Sequence, residues 1–202
     1  MRLDPQVLRS EFPALERQQD GQPVVWADGP GGTQVPRRVI DAMSGVLSRG
    51  ASNHGGFFSA SAESNAIHED ARAAMADLFG CAPAEIAFGQ NMTSMTFALS
   101  RALSREWSEN DEVVVTRLDH DANVSPWVLA ARDSGATVRF VDINVDDATL
   151  DMVSLETVVG PRTKLVAVAA ASNAVGTLVD VARVAAIAHA VGALVFVDAV
   201  HY

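Results

Sequence analysis

Residues 165–177 read LVAVAAASNAVGT. An uncharged apolar run at 165–170 passes into a polar, glycine-containing turn, the pattern of a buried strand entering a loop. The same pattern recurs on both sides, with apolar runs at 86–88, 113–116, 137–141 and 194–197. Helical stretches are expected between them, at 93–105, 125–133, near 150–158 and at 181–191. Strands alternating with helices imply an α/β fold: a mainly parallel sheet, covered by helices on both faces and joined by right-handed crossovers.

The N-terminal part is less regular. A short helix is expected around residues 5–10 and a brief apolar strand at 24–27. The DGPGG segment at 28–32 must be a loop, because a proline and adjacent glycines do not fit inside a regular element. Pro36 suits the first turn of a helix that carries Val39, Ile40, Met43, Val46 and Leu47 on one face. A second glycine-rich loop at 50–56 precedes a longer helix at about 60–79.

The chain's 202 residues accommodate one good-sized domain, or one domain and part of another. A formal net charge of −10 argues against a nucleic-acid partner. It leaves room for an anionic ligand held by local backbone dipoles. With a single cysteine, Cys81, no intramolecular disulfide framework is possible, which fits a reducing cytoplasm. The first twenty-one residues contain no signal-type apolar stretch. Asp180, Arg183, His189 and Asp198 interrupt the most apolar region, so no membrane span is expected.

Ligands of open α/β sheets bind beyond the carboxyl ends of the strands, so the residues after each apolar run carry the candidate chemistry. Asn91, Met92, Thr93 and Ser94 open a helix whose free amides and dipole favour a phosphate, although an ordinary helix cap uses the same residue types. Asp198 ends an apolar strand. It can pair with a protonated ring nitrogen or cap the next helix. His120, between Asp119 and Asp121, can stack on a planar ligand or move protons, or it can simply bond to its neighbouring carboxylates. Asn173 and His201 can reach a ligand oxygen or satisfy loop backbone.

Three segments in this order, DHDANVSPW (119–127), ASNAVGT (171–177) and FVDAVHY (196–202), resemble the class V aminotransferase and cysteine desulfurase-like family of fold-type I pyridoxal phosphate (PLP) enzymes. The DGPGGTQVP segment and the GASNHGG loop are closest to the desulfurase-like branch. The likeness runs from about Trp26 to the last residue. It implies a three-layer α/β/α large domain binding PLP. Met92 and Thr93 would hold its phosphate, His120 would stack on the ring, and Asn173 and His201 would approach the phenolic oxygen. Asp198 would pair with the ring nitrogen, which keeps PLP an electron sink. Asn53 and His54 would belong to a loop at the substrate entrance and dimer contact. His201 stands where desulfurases commonly have glutamine.

The resemblance also implies a homodimer acting on an amino-acid substrate, by sulfur removal or transamination. It places the Schiff-base lysine well after the Asp198 strand. The only lysine of this chain, Lys164, begins the 165–170 strand and is expected at the opposite end of the sheet. Cys81 is expected to be a small residue after a helix end rather than a nucleophile. The expected division is an N-terminal segment at 1–57 and an incomplete PLP-binding domain at 58–202, with no C-terminal small domain. On that reading the chain is a fragment, inactive alone. The 86–88 strand would lack a neighbour and the 194–197 strand would present an open edge. The alternatives are a non-catalytic remnant or subunit that pairs with a full-length relative, and a nucleotide-binding domain. The last ranks lowest, because no G-x-G-x-x-G follows a strand and there is no Walker lysine.

Overall fold

The computed structural model describes residues 4–202, in two compact units, Met1–Phe88 and Gly89–Tyr202. The division expected at 57/58 falls within the first of these. That unit begins with α1 (Pro5–Arg9), capped by the Asp4 carboxylate on the Gln6 amide. A hairpin follows, with β1 (Gln18–Gln19) antiparallel to β2 (Gln22–Pro23) across Asp20 and Gly21, both at positive φ. The strand expected at 24–27 does not form. Val24 donates the last hairpin hydrogen bond, to the Arg17 carbonyl at 3.0 Å, and no third strand stands beside it.

Two helices complete the unit. In α2 (Arg37–Arg49), Pro36 is the extended cap rather than a first-turn residue, and Val39, Ile40, Met43 and Leu47 form an exposed apolar face. The helix α3 (Ser59–Phe79) ends where Gly80 turns left-handed at φ 68°. The expected strand at 86–88 is also missing: Ile86 is extended, but no described strand pairs with it. A strand is a shared hydrogen-bond ladder, and apolar residues alone do not create one.

The second unit alternates as the sequence predicts. In chain order it contains α4 (Met92–Leu103), β3 (Glu112–Thr116), α5 (Ser125–Ser134), β4 (Thr137–Val141), the small hairpin β5 (Ile143–Asn144) and β6 (Thr149–Leu150), α6 (Met152–Val158), β7 (Thr163–Ala169), α7 (Val181–Ala190) and β8 (Leu194–Asp198). The main sheet has the order β4-β3-β7-β8, and every pairing is parallel. Strand side chains alternate between two cores. Val113, Val115, Leu165 and Ala167 join Trp127 and Ala131 of α5 on one face. Val114, Val166 and Val168 join Leu155 of α6 with Val184 and Ala188 of α7 on the other. The second unit is therefore a three-layer α/β/α arrangement. β8 stands at an open edge of the sheet, as expected. Because all four strands run the same way, the loops after Thr116, Val141, Ala169 and Asp198 share one rim.

Candidate functional site

The carboxyl rim gathers the loops that hold most of the candidate residues. The carbonyl of Asp198 accepts the Ala170 amide at 2.8 Å, which ties the ends of β7 and β8 together. A one-turn 3-10 helix at Asp121–Asn123, directly after His120, packs against both β7 and α4. Asp119, Asp198 and the loop after β7 thus lie around adjacent strand ends, and α4 packs on the same turn.

Asn91 plays the ordinary capping role, its side-chain oxygen accepting the Ser94 amide at 2.8 Å. The amides of Met92 and Thr93, at the first two positions of α4, donate no hydrogen bond among the described residues. The cap is built, and two amides at the positive end of the dipole have no acceptor among the described residues.

Asp198 is buried, at 9% exposure. Its Oδ1 accepts the Val200 amide at 3.0 Å, and its Oδ2 has no protein donor among the described residues. The strand-end carboxylate caps a turn with one oxygen and keeps the other available. His120 is exposed, and its Nδ1 accepts the Ala122 amide at 3.1 Å. It is not bonded to its flanking carboxylates, which turn elsewhere: Asp121 accepts from Ser125, and Asp119 from Thr116 and Asn123.

Asn173 sits half-buried in the turn after β7, its side chain without a hydrogen bond among the described residues. Ser172 and the left-handed Gly176 shape that turn, which closes when the Gly176 amide donates to the Ser172 carbonyl at 3.0 Å. His201 is exposed in the turn just after Asp198. Lys164 lies at the amino end of β7, exposed and paired with Asp111 at 3.3 Å. It is remote from the rim, as its strand position predicts. Cys81 follows the left-handed Gly80 at the end of α3, the small-residue position expected.

Asn53 and His54 belong to the first unit. Their loop is strapped to α3: Ser61 donates to the Asn53 carbonyl at 2.7 Å, and the Gly55 amide donates to Asn65 at 2.9 Å. His54 faces His68, with ring centroids 5.5 Å apart, in a cavity of about 260 Å³ that Asn65, Glu69 and Arg72 also line.

Sequence reasoning missed the polar network beneath the His120 turn. The Trp127 indole donates to Asn123 Oδ1 at 3.1 Å, Asn123 Nδ2 donates to Asp119 Oδ1 at 2.6 Å, and the Thr116 hydroxyl donates to Asp119 Oδ2. Thr116 Oγ1 in turn accepts the amides of Leu118 and Asp119. Burial holds the Asp119 carboxyl up at about 6. The bonds from Thr116 and Asn123 and the Ala169 backbone oppose that rise, and the charge of Asp198 adds to it. The i, i+4 spacings Asp119–Asn123 and Asn123–Trp127 were the available signal.

Comparison with known proteins follows this geometry. The family described as Aminotransferase class-V matches residues 25–202. A probable cysteine desulfurase 1 from Mycobacterium leprae is 35% identical over 179 residues, covering 87% of this chain and 29% of that protein. The apo structure of a cysteine desulfurase from Thermococcus onnurineus superposes with a TM-score of 0.87 at 28% identity, covering 98% of this chain and 48% of that one. A mutant of C-DES with glycine covalently linked to its PLP cofactor shares the fold, with a TM-score of 0.76 at 23% identity over 96% of this chain and 49% of its own. The chain spans less than half the length of each.

Proposed function

Because the chain belongs to the class V aminotransferase family, whose cofactor is PLP, we propose that it forms the cofactor-binding part of a cysteine desulfurase-like enzyme acting on an amino acid. The observation that carries this reading is the shared rim. The loops after β3, β7 and β8 bring a flat imidazole, a free amide side chain and a buried carboxylate with one unbonded oxygen to one end of a parallel sheet.

The donor set fits the cofactor's chemistry. The free Met92 and Thr93 amides suit a phosphate dianion. Asp198 Oδ2 accepts a proton-bearing ring nitrogen and favours its cationic form. His120, whose Nδ1 accepts the Ala122 amide, would stack on the ring. Asn173 and His201 would donate to the phenolic oxygen. When bound, PLP supplies the electron sink that lets an amino acid lose its alpha proton. The names of the relatives favour cysteine as the substrate.

The lysine that attaches the cofactor is assigned to sequence outside these residues, since Lys164 is committed to the amino rim. In the same reading, Asn53 and His54 face the substrate entrance of a homodimer, and the setting is cytoplasmic. The location of Lys164 also favours a second reading, a non-catalytic chain that pairs with a full-length relative.

The test is to add PLP to the full 202-residue chain, follow its visible absorbance, then reduce with borohydride and map any adduct by mass spectrometry. Saturable binding without a lysine adduct is expected, weakened roughly tenfold or more by Asp198→Ala through loss of a charge-assisted bond. A specific adduct on Lys164 overturns its exclusion. Binding indifferent to Asp198→Ala, or no saturable binding, overturns the cofactor site.

A further inference from the structure

We propose that Asp119 is a positioning residue of this rim: it clamps the turn that carries His120 and sets a second, half-buried carboxylate on the rim that Asp198 shares. The proposal rests on the PLP reading above.

The clamp is read from the bonds. Asp119 ties the end of β3, through Thr116, to the 3-10 turn, through Asn123, and Asn123 ties on to α5 through the Trp127 indole. Asn123 and Trp127 have no exposed surface, so the bond between them does not compete with water. His120 lies between these fixed points, and its ring is held from one nitrogen by Ala122. A ring fixed in this way loses little further freedom when a planar ligand stacks on it.

A clamp needs no charge, since an amide at position 119 also accepts hydrogen bonds. A half-buried acid with no cation beside it therefore calls for another explanation. The groups around it offer no compensation. From β8 the charge of Asp198 acts on it unfavourably, β7 supplies the Ala169 backbone, and α5 supplies neutral Trp127. On its own turn, Asp121 is bonded to Ser125 and His120 to Ala122. Arg117, just after β3, pairs with Asp142 at 2.7 Å. The helix α4, packed on the turn, has no titratable side chain before Arg101. Asp119 therefore carries a proton in mild acid and releases it above about pH 6. Its negative charge then reinforces Asp198 toward a cationic ring nitrogen.

Two measurements on the full chain test this. In the first, the Trp127 indole N–H resonance of ¹⁵N-labelled protein, assigned with Trp127→Phe, is followed from pH 4.5 to 8. A step centred near 6 is expected in the wild type and none in Asp119→Asn. In the second, PLP is titrated onto both proteins across the same range. Ionisations of the ligand are common to both, so the ratio of Kd for Asp119→Asn to Kd for the wild type isolates Asp119. That ratio should stay near one at pH 5 and rise to roughly three- to tenfold at pH 8. A ratio that does not change with pH makes Asp119 merely structural and overturns the proposal, as does a Trp127 step that survives in Asp119→Asn. No saturable PLP binding by the wild type removes the cofactor reading and the electrostatic half of the proposal with it. The Trp127 step then still decides the clamp.

Discussion

The two ends of the four-stranded sheet treat buried carboxylates in opposite ways. At the amino end, Glu112 is only 5% exposed, and both Arg139 and Arg162 donate to its Oε1, while Lys164 pairs with Asp111. At the carboxyl end, Asp198 is buried and Asp119 half-buried with no cation paired to either among the described residues, and Arg117 at the same rim is taken by Asp142. A buried charge costs several kcal/mol unless it is paired. The amino end settles that cost inside the fold and is structural. The carboxyl end leaves it open, which is what a site for a cationic ligand group requires.

The strongest challenge to this contrast is the pH dependence of stability. Asp119's folded pKa of about 6 lies above its ordinary carboxylate value of 3.8. The folded state therefore holds the proton more tightly, and the benefit is complete below pH 4 and lost as pH rises through 6. Urea unfolding should show about 2 kcal/mol less stability at pH 7 than at pH 4 from this group. Asp119→Asn should remove that slope, and a slope unchanged by the substitution would show that Asp119 is not buried as described.

At the opposite end, Glu112→Gln should cost about 2 kcal/mol by losing its charge-assisted bonds to two arginines. A neutral result there would mean that the amino end gains nothing from its pairing. Asp198→Asn sharpens the comparison further. It should change stability by less than about 1 kcal/mol and move the Asp119 midpoint down, because one of the charges raising it has gone. A midpoint that stays in place would separate the two carboxylates. The smallest effect belongs to Arg117→Ala, within about 0.5 kcal/mol, since both members of its pair with Asp142 are more than half exposed. A loss much larger than this would make Arg117 a true counter-charge of the carboxyl rim.

Much of the second unit was legible in the sequence. The helix at 181–191 and the strands around 113–116, 137–141, 165–170 and 194–197 appear within two residues of their expected bounds. The apolar runs of the two central strands, β3 and β7, are buried on both faces, so burial and hydrogen bonding favour the same structure there. The runs at 24–27 and 86–88 misled for a shared reason. Each is apolar enough for a strand, but a strand exists only if a neighbour offers a ladder, and a neighbour is a property of the fold. The site residues divide in the same way. Residue type and position after a strand marked His120, Asn173 and Asp198, whereas Asp119 passed as a flanking acid.

Chain order alone determined that the second unit would be a covered parallel sheet, because alternation of strand and helix leaves few other ways to bury these apolar faces. It also determined that Lys164 and Asp198 would lie at opposite ends, because a strand has one direction. Only the tertiary structure decided which oxygen of Asp198 stays free and which partners hold Asp119. It alone decided that Arg117 meets Asp142 rather than Asp119 or Asp198. Those outcomes depend on distances of a few ångströms between segments remote in sequence, and hydrogen bonding and burial act at that range.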